Sequence, residues 1–375
     1  MKKKSIWLVS LIAILIVALL LWAITREGSA SDVKIGCVLS LSGTIAPYGE
    51  SARKGVEIAA SEINAKGGIG GRRLTVVFED DRSEVTPAVS AVRKLIFQDK
   101  TPAIVGFIGS SLLLAAAPII EETSTILISP GASSPQIRDA GEFIFRTRAS
   151  GHLEAVTLAK YAVERLGHKH LAVLYVNNDY GLSWLDSFGS QTLLSGGKIV
   201  AKEAFGQGAN DVRTQLSKVK SANPTCLLIL GYFDEIIVAV RQATELGLTV
   251  QLLTTIGIQD KKVFDLLGKA AEGIYFSAVD YDPANNPQSK AFDEAYVARF
   301  GEPSNIFAAD AYDATLLIAD AFSTVGTDGD RVRQYLLSMK GFKGAGGTRS
   351  FDEKGDVVKP VTMKRIENGQ FVTVK

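Results

Sequence analysis

The chain has 375 residues, of which 46% are hydrophobic, so it is long enough to form two domains that each bury a core. Its charge is balanced, with 41 lysines and arginines against 40 aspartates and glutamates, and without residues 1–30 the balance is 37 against 39. Phosphate binding requires a basic surface, so this composition argues against nucleic acid as a partner.

The N-terminus has the pattern of an export signal. Three lysines precede residues 5–25, which carry no charge and approach the length that spans a bilayer. Gly28-Ser29-Ala30 offers small residues for cleavage by signal peptidase. Residues 1–30 are therefore predicted to be either a signal peptide or an uncleaved membrane anchor. Both alternatives place the folded part outside the inner membrane, because lysines flanking an apolar span stay on the cytoplasmic side.

The first strand, loop and helix indicate how the chain is built. Residues 35–39 are an apolar run of strand length, and the polar loop 40–49 leads into an amphipathic helix that stops at Gly67-Gly68. A parallel strand that feeds a loop and a helix is the unit of a doubly wound sheet. Ligands bind such sheets at the carboxyl ends of the strands, where this polar loop is placed.

Strands and helices continue to alternate along the chain. In the first cycle the predicted strands are 74–79, 103–107, 126–129 and 143–146, and the predicted helices are 87–98, 112–122 and 152–166. In the second cycle the predicted strands are 171–176, 198–205, 226–230, 250–254 and 274–278. Between them the sequence predicts a helix that ends near residue 194, a helix over 212–221 and a helix that ends at residue 246. Three helices (287–300, 309–325, 330–339) and three strands (348–351, 357–366, 370–374) complete the chain.

This alternation predicts an α/β protein of two doubly wound, Rossmann-like lobes with mainly parallel sheets, joined by a three-segment hinge. Lobe 1 is predicted to hold residues 31–148 and 278–345, and lobe 2 residues 149–277 and 346–375. The third crossing falls in the glycine-rich segment 343–347, which is flexible enough to serve as a hinge strand. A small ligand is expected in the cleft between the lobes.

Two loops of the first lobe are predicted to bind an anion. Gly109-Ser110-Ser111 stands between a strand and a helix start, whose unpaired N–H groups and partial positive charge favour an anion. Gly131-Ala132-Ser133 follows the next strand, and its backbone can approach a ligand closely. Both loops lie at strand carboxyl ends, so they can converge on one carboxylate. The alternative is that these serines only cap a helix and fill a turn.

The chain resembles the leucine/isoleucine/valine-binding proteins, type I periplasmic receptors of ATP-driven (ABC) importers. The resemblance covers essentially the whole exported part and is strongest in SLSGTIAPYGESARKGVEIAASEINAKGGIGG, EDDRSEVTPAVSAVRKLI, ISPGASSPQI and FDEKGDV. It implies the type I periplasmic binding protein fold and a branched-chain or other small amino acid, or a related small carboxylate, as ligand. It also implies closure by hinge motion, a membrane permease as partner, a monomeric chain, and neither cofactor nor metal.

The resemblance also implies which residues contact the ligand. Ser110 would hold the ligand carboxylate, and Gly131, Ala132 and Ser133 would contact both the carboxylate and the amine. The other implied contacts are large side chains, with Tyr180 and Tyr232 closing from the second lobe and Tyr48, Ile108 and Phe307 lining the side-chain pocket. The alternative role of the aromatic residues is core packing.

One position departs from the family pattern. In the amino-acid-binding members an acid in the loop after the strand matching 250–254 pairs with the ligand ammonium, and Ile256 stands at that place here. A buried ammonium without a carboxylate is costly. Three explanations stay open. Asp260, Asp234 or Asp310 supplies the charge, the alignment is shifted by a few residues, or the ligand has no ammonium, as in aromatic acids, short keto acids and amides.

Other sequence features favour binding over catalysis. The chain has no Walker phosphate loop, no GxSxG elbow and no HExxH motif. Asp80-Asp81 is interpreted as a pair of turn residues rather than a metal site. Cys37 and Cys226 are predicted to be buried thiols in different lobes. A sensory receptor of the same fold is the alternative function.

Overall fold

The computed structural model describes residues 31–279, 281–357 and 359–374, so the predictions about residues 1–30 lie outside the described residues. The strands are β1 (Val33–Leu39), β2 (Leu74–Asp80), β3 (Ala103–Gly106), β4 (Ile126–Ser129), β5 (Ile144–Arg146), β6 (His170–Val176), β7 (Lys198–Phe205), β8 (Cys226–Leu230), β9 (Gln251–Thr255), β10 (Tyr275–Val279), β11 (Phe342–Gly344), β12 (Gly347–Arg349), β13 (Val361–Glu367) and β14 (Gln370–Val374). The helices are α1 (Ala46–Ala65), α2 (Val85–Arg93), α3 (Ser110–Glu122), α4 (Gly151–Lys160), α5 (Asp179–Leu194), α6 (Arg213–Ser221), α7 (Phe233–Glu245), α8 (Lys262–Leu267), α9 (Pro287–Phe300), α10 (Ile306–Val325) and α11 (Gly329–Ser338). In the part of the chain described, no helix is both long and apolar enough to cross a bilayer.

The first lobe is built on a five-stranded parallel sheet in the order β2-β1-β3-β4-β5. Strands β3 and β4 are buried along their whole length, as expected for a parallel sheet covered by helices on both faces. The polar loop after β1 is held by the two predicted turn residues. Asp80 accepts the Ser42 hydroxyl at 2.6 Å, and Asp81 accepts the Ser40 hydroxyl at 2.6 Å.

The second lobe is built on a seven-stranded mixed sheet in the order β14-β13-β10-β9-β8-β6-β7. Strands β6 to β10 run parallel, and β13 and β14 are added antiparallel at one edge. The turn between β13 and β14 uses Asn368 and Gly369, both at positive φ, as is usual for a two-residue hairpin turn. Cys37 in β1 and Cys226 in β8 are free, buried thiols in different sheets, which confirms their predicted state.

Helix α10 brings the chain back to the first lobe and packs against α1. Small residues allow this close approach, since a side chain on Gly55 of α1 would place its Cβ 2.1 Å from the carbonyl oxygen of Ala308. Ala311 and Ala314 of α10 are fully buried. The alanine-rich sequence of α10 therefore serves helix packing rather than the cavity.

The glycine-rich segment that was expected to be a hinge strand is the turn of a small hairpin formed by β11 and β12. The N–H groups of Ala345 and Gly346 donate to the carboxylate of Asp313, at 2.7 and 2.9 Å. A Cβ at Gly346 would lie 2.0 Å from Nη2 of Arg349. The expectation of a flexible strand is wrong here, because this turn is fixed by hydrogen bonds and close packing.

Contacts after β12 keep the chain on the first sheet for longer than the predicted boundary at 345/346. The rings of Phe351 and Phe145 lie 5.1 Å apart, and the N–H of Arg146 donates to the carbonyl of Gly355 at 3.0 Å. Arg146 also pairs with Asp356. These contacts favour a third crossing after Asp356.

Candidate functional site

A cavity lies between the lobes, where the carboxyl ends of parallel strands face each other. Nine of the ten residues predicted to bind ligand line it: Tyr48, Ile108, Ser110, Gly131, Ser133, Tyr180, Tyr232, Ile256 and Phe307. Ala132 is buried outside this lining, and its N–H donates to the Ser129 hydroxyl at 3.1 Å. Arg148, Gly231, Thr255 and Gly257 also line the cavity and were not predicted.

Ser110 is the central polar residue of the first wall, which is the part of the lining contributed by the loops after β3 and β4. It is the first residue of α3, whose N-cap Gly109 offers no side-chain cap. The Ser110 hydroxyl oxygen accepts N–H bonds from Ser133 and Ser134, at 3.2 and 3.1 Å. Because two N–H groups occupy this oxygen, the hydroxyl proton is left to be donated, and a carboxylate is its natural acceptor.

The backbone of the loop after β4 is used inside the lobe. The N–H of Ser133 donates to Ser110, and the N–H of Ala132 donates to Ser129. A Cβ at Gly131 would lie 2.8 Å from Cα of Ile108, so this glycine allows the two loops to pack together. The first wall therefore presents hydroxyl groups to the cavity, while these two amides hold the wall in shape.

Tyr180 and Tyr232 form the second wall, on the side of the other lobe. Tyr180 lies in the first turn of α5, and its hydroxyl donates to Thr255 at 3.1 Å. Tyr232 is the N-cap of α7, and its N–H donates to Glu235 at 2.9 Å. The Tyr232 hydroxyl accepts from Asn178 at 3.3 Å, and the two rings stack at 5.5 Å.

Burial determines the chemical state of these tyrosines. It raises the pKa of both Tyr180 and Tyr232 well above the usual range, so each keeps its hydroxyl proton at neutral pH. A neutral phenol can donate or accept one hydrogen bond and covers an apolar group with its ring. The second wall is therefore mainly an apolar surface with neutral polar edges.

Tyr48 joins the two walls. Its ring packs on Phe307 of the first lobe with centroids 4.6 Å apart, and its hydroxyl donates to the carbonyl of Gly257 in the second lobe at 3.0 Å. Ile108 completes the apolar lining beside them and is 5% exposed. These side chains would surround the apolar body of a ligand.

Hydrogen bonds outside the cavity show that the lobes are closed on each other. The N–H of Asp179 in the second lobe donates to the hydroxyl of Ser111 in the first, at 3.2 Å. The Gln207 amide donates to the hydroxyl of Thr44 at 2.7 Å. Such contacts exist only when the lobes meet, so the structure represents the closed state of a two-lobed protein.

Ile256 lies in the cavity lining, 4% exposed, in a short 3₁₀ turn that Thr255 caps. None of the three acids considered as substitutes reaches the cavity. Asp234 is exposed, and Asp260 accepts a hydrogen bond from the N–H of Lys262. Asp310 is fully buried in an ion cluster with Arg349. Among the residues that the structure describes, no aspartate or glutamate lines the cavity.

Arg148 is the charged residue of this site that sequence reasoning missed. It follows β5 at the first crossing between lobes, is 3% exposed, and pairs through Nη2 with Glu154 at 2.5 Å. Glu154 belongs to α4, and its burial raises its pKa to about 7. The available signal was an arginine directly after an apolar strand with an acid six residues on, but this pattern does not indicate a cavity.

A family model described as periplasmic binding protein matches residues 32–370. The leucine-, isoleucine-, valine-, threonine-, and alanine-binding protein of Pseudomonas aeruginosa is 30% identical over 334 residues, which cover 88% of each chain. A leucine binding protein from Thermotoga maritima, of solved structure, has a TM-score of 0.85 at 30% identity and covers 92% of this chain and 98% of its own. The branched-chain amino acid transporter substrate binding protein of Streptococcus pneumoniae, solved in complex with isoleucine, has 0.83 at 29% identity, with coverage of 92% and 100%. These similarities confirm the predicted fold.

Proposed function

This chain belongs to the periplasmic binding protein family, and from that premise we propose that it is the substrate-binding protein of an ABC importer. The relatives are named for the ligands they bind and not for a reaction. The apolar segment at residues 5–25 supports a place of action outside the inner membrane. The chain would work there as a monomer and deliver its ligand to a membrane permease.

The proposed ligand is a branched-chain or other small amino acid, or a related small carboxylate. The observation that carries this proposal is the composition of the cavity lining, with hydroxyl donors of Ser110 and Ser133 on the first wall and apolar and aromatic side chains around the rest of the cavity. The names of the relatives, which include leucine, isoleucine and valine, agree with a short apolar body.

The mechanism follows from the separation of the two walls. In an open form the first wall would bind the ligand carboxylate through Ser110 and Ser133. Tyr180 and Tyr232 belong to the other lobe, so they would reach the ligand only when the lobes close. A ligand that gains contacts only in the closed form shifts the equilibrium toward it. The permease would then recognise the closed form through surfaces of both lobes.

A thermal-shift screen of the purified protein tests this function. The panel holds leucine, isoleucine, valine, their 2-oxo acids, aromatic acids and short amides. A ligand that binds only the folded state raises the melting temperature, and a concentration 100 times the dissociation constant adds about 2.7 kcal/mol of stability. Stabilisation by at least one small carboxylate is expected.

The proposal fails if none of these compounds changes the melting temperature of well-folded protein. A variant with the hydroxyls of the first wall removed, Ser110→Ala with Ser133→Ala, serves as the control for the site. The stabilisation by the same compound must shrink in this variant, because binding elsewhere on the protein would leave it unchanged.

A further inference from the structure

The charges around the cavity are one-sided. Among the described residues that line the cavity, Arg148 has the one charged side chain, and the other polar side chains of the lining carry hydroxyl groups. The Tyr48 and Tyr180 hydroxyls already donate to protein oxygens, to Gly257 and Thr255. An ammonium group would have to leave water without a carboxylate partner, which is costly in a buried site.

Arg148 is also incompletely bonded. Its Nη2 faces Glu154 at 2.5 Å, whereas its Nη1 is buried and has no hydrogen-bond partner among the described residues. A buried N–H donor without an acceptor costs free energy, and a charged donor costs more than a neutral one. An oxygen atom of a bound ligand would remove this cost.

The backbone places Arg148 beside the first wall. Its segment continues to Gly151, whose N–H donates to the carbonyl of Ser133 at 2.7 Å. Glu154 holds the guanidinium from the side of α4. The buried Glu154 side chain also interacts electrostatically with Asp310 of α10, with Lys359 and with Tyr180 of α5. The guanidinium therefore has a fixed position next to the loop that carries Ser133.

We infer that the cavity selects a small carboxylate that has no ammonium group, and that Arg148 sets this selectivity by donating an N–H to a ligand oxygen and repelling a ligand cation. The inference rests on the proposed function and narrows its ligand class. The fitting chemistry is a short 2-oxo acid or another monocarboxylate with an apolar body. The buried Ile256 in the lining agrees with this class, since it offers no acceptor.

Isothermal titration of the purified protein with a matched ligand pair tests the inference. L-Leucine and 4-methyl-2-oxopentanoate share the carbon skeleton and the carboxylate and differ in having an ammonium or a ketone. The oxo acid is expected to bind at least about 100-fold more tightly, because only leucine leaves a buried cation unpaired. Benzoate and isobutyramide complete the set as a flat carboxylate and an uncharged amide.

The double variant Arg148→Met with Glu154→Gln removes both charges, so it leaves no buried ion without its partner. The affinity for the oxo acid is expected to fall about tenfold or more, and the preference over leucine is expected to shrink. The matched control is Arg213→Met with Glu245→Gln, an exposed ion pair of the second lobe with N–O distance 2.6 Å. This control is expected to change neither affinity.

Each result has a definite meaning. Binding of the oxo acid or benzoate without binding of leucine supports the inference, and equal or tighter binding of leucine overturns it while the proposed function stands. Binding of the amide alone also overturns it. If none of the four compounds and no other member of the ligand panel binds folded protein, the proposed function fails and the inference fails with it. The comparison of ligands in the unchanged protein decides even if the double variant does not fold.

Discussion

The two walls of the cavity use their polar groups differently. On the first wall the Ser110 oxygen accepts two N–H bonds from the neighbouring loop, so its proton is directed outward. On the second wall Tyr180 donates to Thr255 within its own lobe, and its ring stacks on Tyr232. The first wall therefore offers directional donors, whereas the second offers a rigid apolar cover. Changes in the first should reduce affinity without preventing closure, and changes in the second should impair closure itself.

The largest effect is expected from removing the donors of the first wall. Ser110→Ala with Ser133→Ala should weaken carboxylate binding by about 100-fold or more, because two hydrogen bonds to a charged group are lost and each contributes about 1.5–3 kcal/mol. Titration calorimetry measures the loss. Ser217→Ala, on an exposed face of α6, is the control and should leave affinity unchanged. An affinity equal to that of the unchanged protein would show that the first wall does not hold the ligand.

A smaller loss of affinity but a larger loss of closure is expected from Tyr180→Ala. Removing the ring takes away the stacking partner of Tyr232 and part of the cover, so affinity should fall about tenfold. Small-angle scattering with and without ligand should then give nearly the same radius of gyration. Tyr180→Phe keeps the ring and loses only the bond to Thr255, so it should still compact. Normal compaction of Tyr180→Ala would contradict the role assigned to the second wall.

The contact between the walls should have a modest effect. Tyr48→Phe removes one neutral hydrogen bond, from the Tyr48 hydroxyl to the carbonyl of Gly257, and keeps the packing on Phe307. One such bond contributes about 1 kcal/mol, so affinity should fall about fivefold for every ligand that closes the protein. A loss of affinity for some ligands but not for others would show that Tyr48 contacts the ligand directly.

The last effect, on stability rather than on affinity, concerns Glu154, behind the cavity. Burial raises its pKa from 4.5 to about 7, so between these values the folded state holds a proton that the unfolded state has released. The stability that this proton gives is present at low pH and is lost as pH rises through about 7. The unfolding free energy should fall between pH 5 and pH 7.5 more steeply than in Glu154→Gln. Urea unfolding at both pH values measures the two slopes, and equal slopes would refute the titration of Glu154 in this range.

Long periodic elements could be predicted from the sequence, because the burial of one helix face or of a whole strand determines the local spacing of the apolar residues. Helix α8 was missed, since its six residues are too few to show a helical period. Two predicted helices also end in π-helical turns, Lys94–Gln98 and Tyr161–Arg165, which the local sequence pattern does not predict.

The cavity was only partly accessible to sequence reasoning. The loop serines were placed there by their position after parallel strands, and the aromatic residues by family resemblance; their contact with a ligand stays a prediction. The use of the Ser133 N–H by Ser110 depends on how two loops meet, and Arg148 reaches the cavity because of the path of the chain between lobes. Neither relation is local in sequence, so neither could be predicted from it.

The hydrogen bonds that join the lobes outside the cavity, from Asp179 to Ser111 and from Gln207 to Thr44, do not involve a ligand. They stabilise a closed empty protein as well as a loaded one. The fraction of molecules that close without ligand therefore depends in part on residues outside the cavity lining, and that fraction scales the apparent affinity. An empty closed receptor would also compete with a loaded one for the transporter. These two hydrogen bonds must therefore be weak enough that the protein closes mainly when ligand is bound.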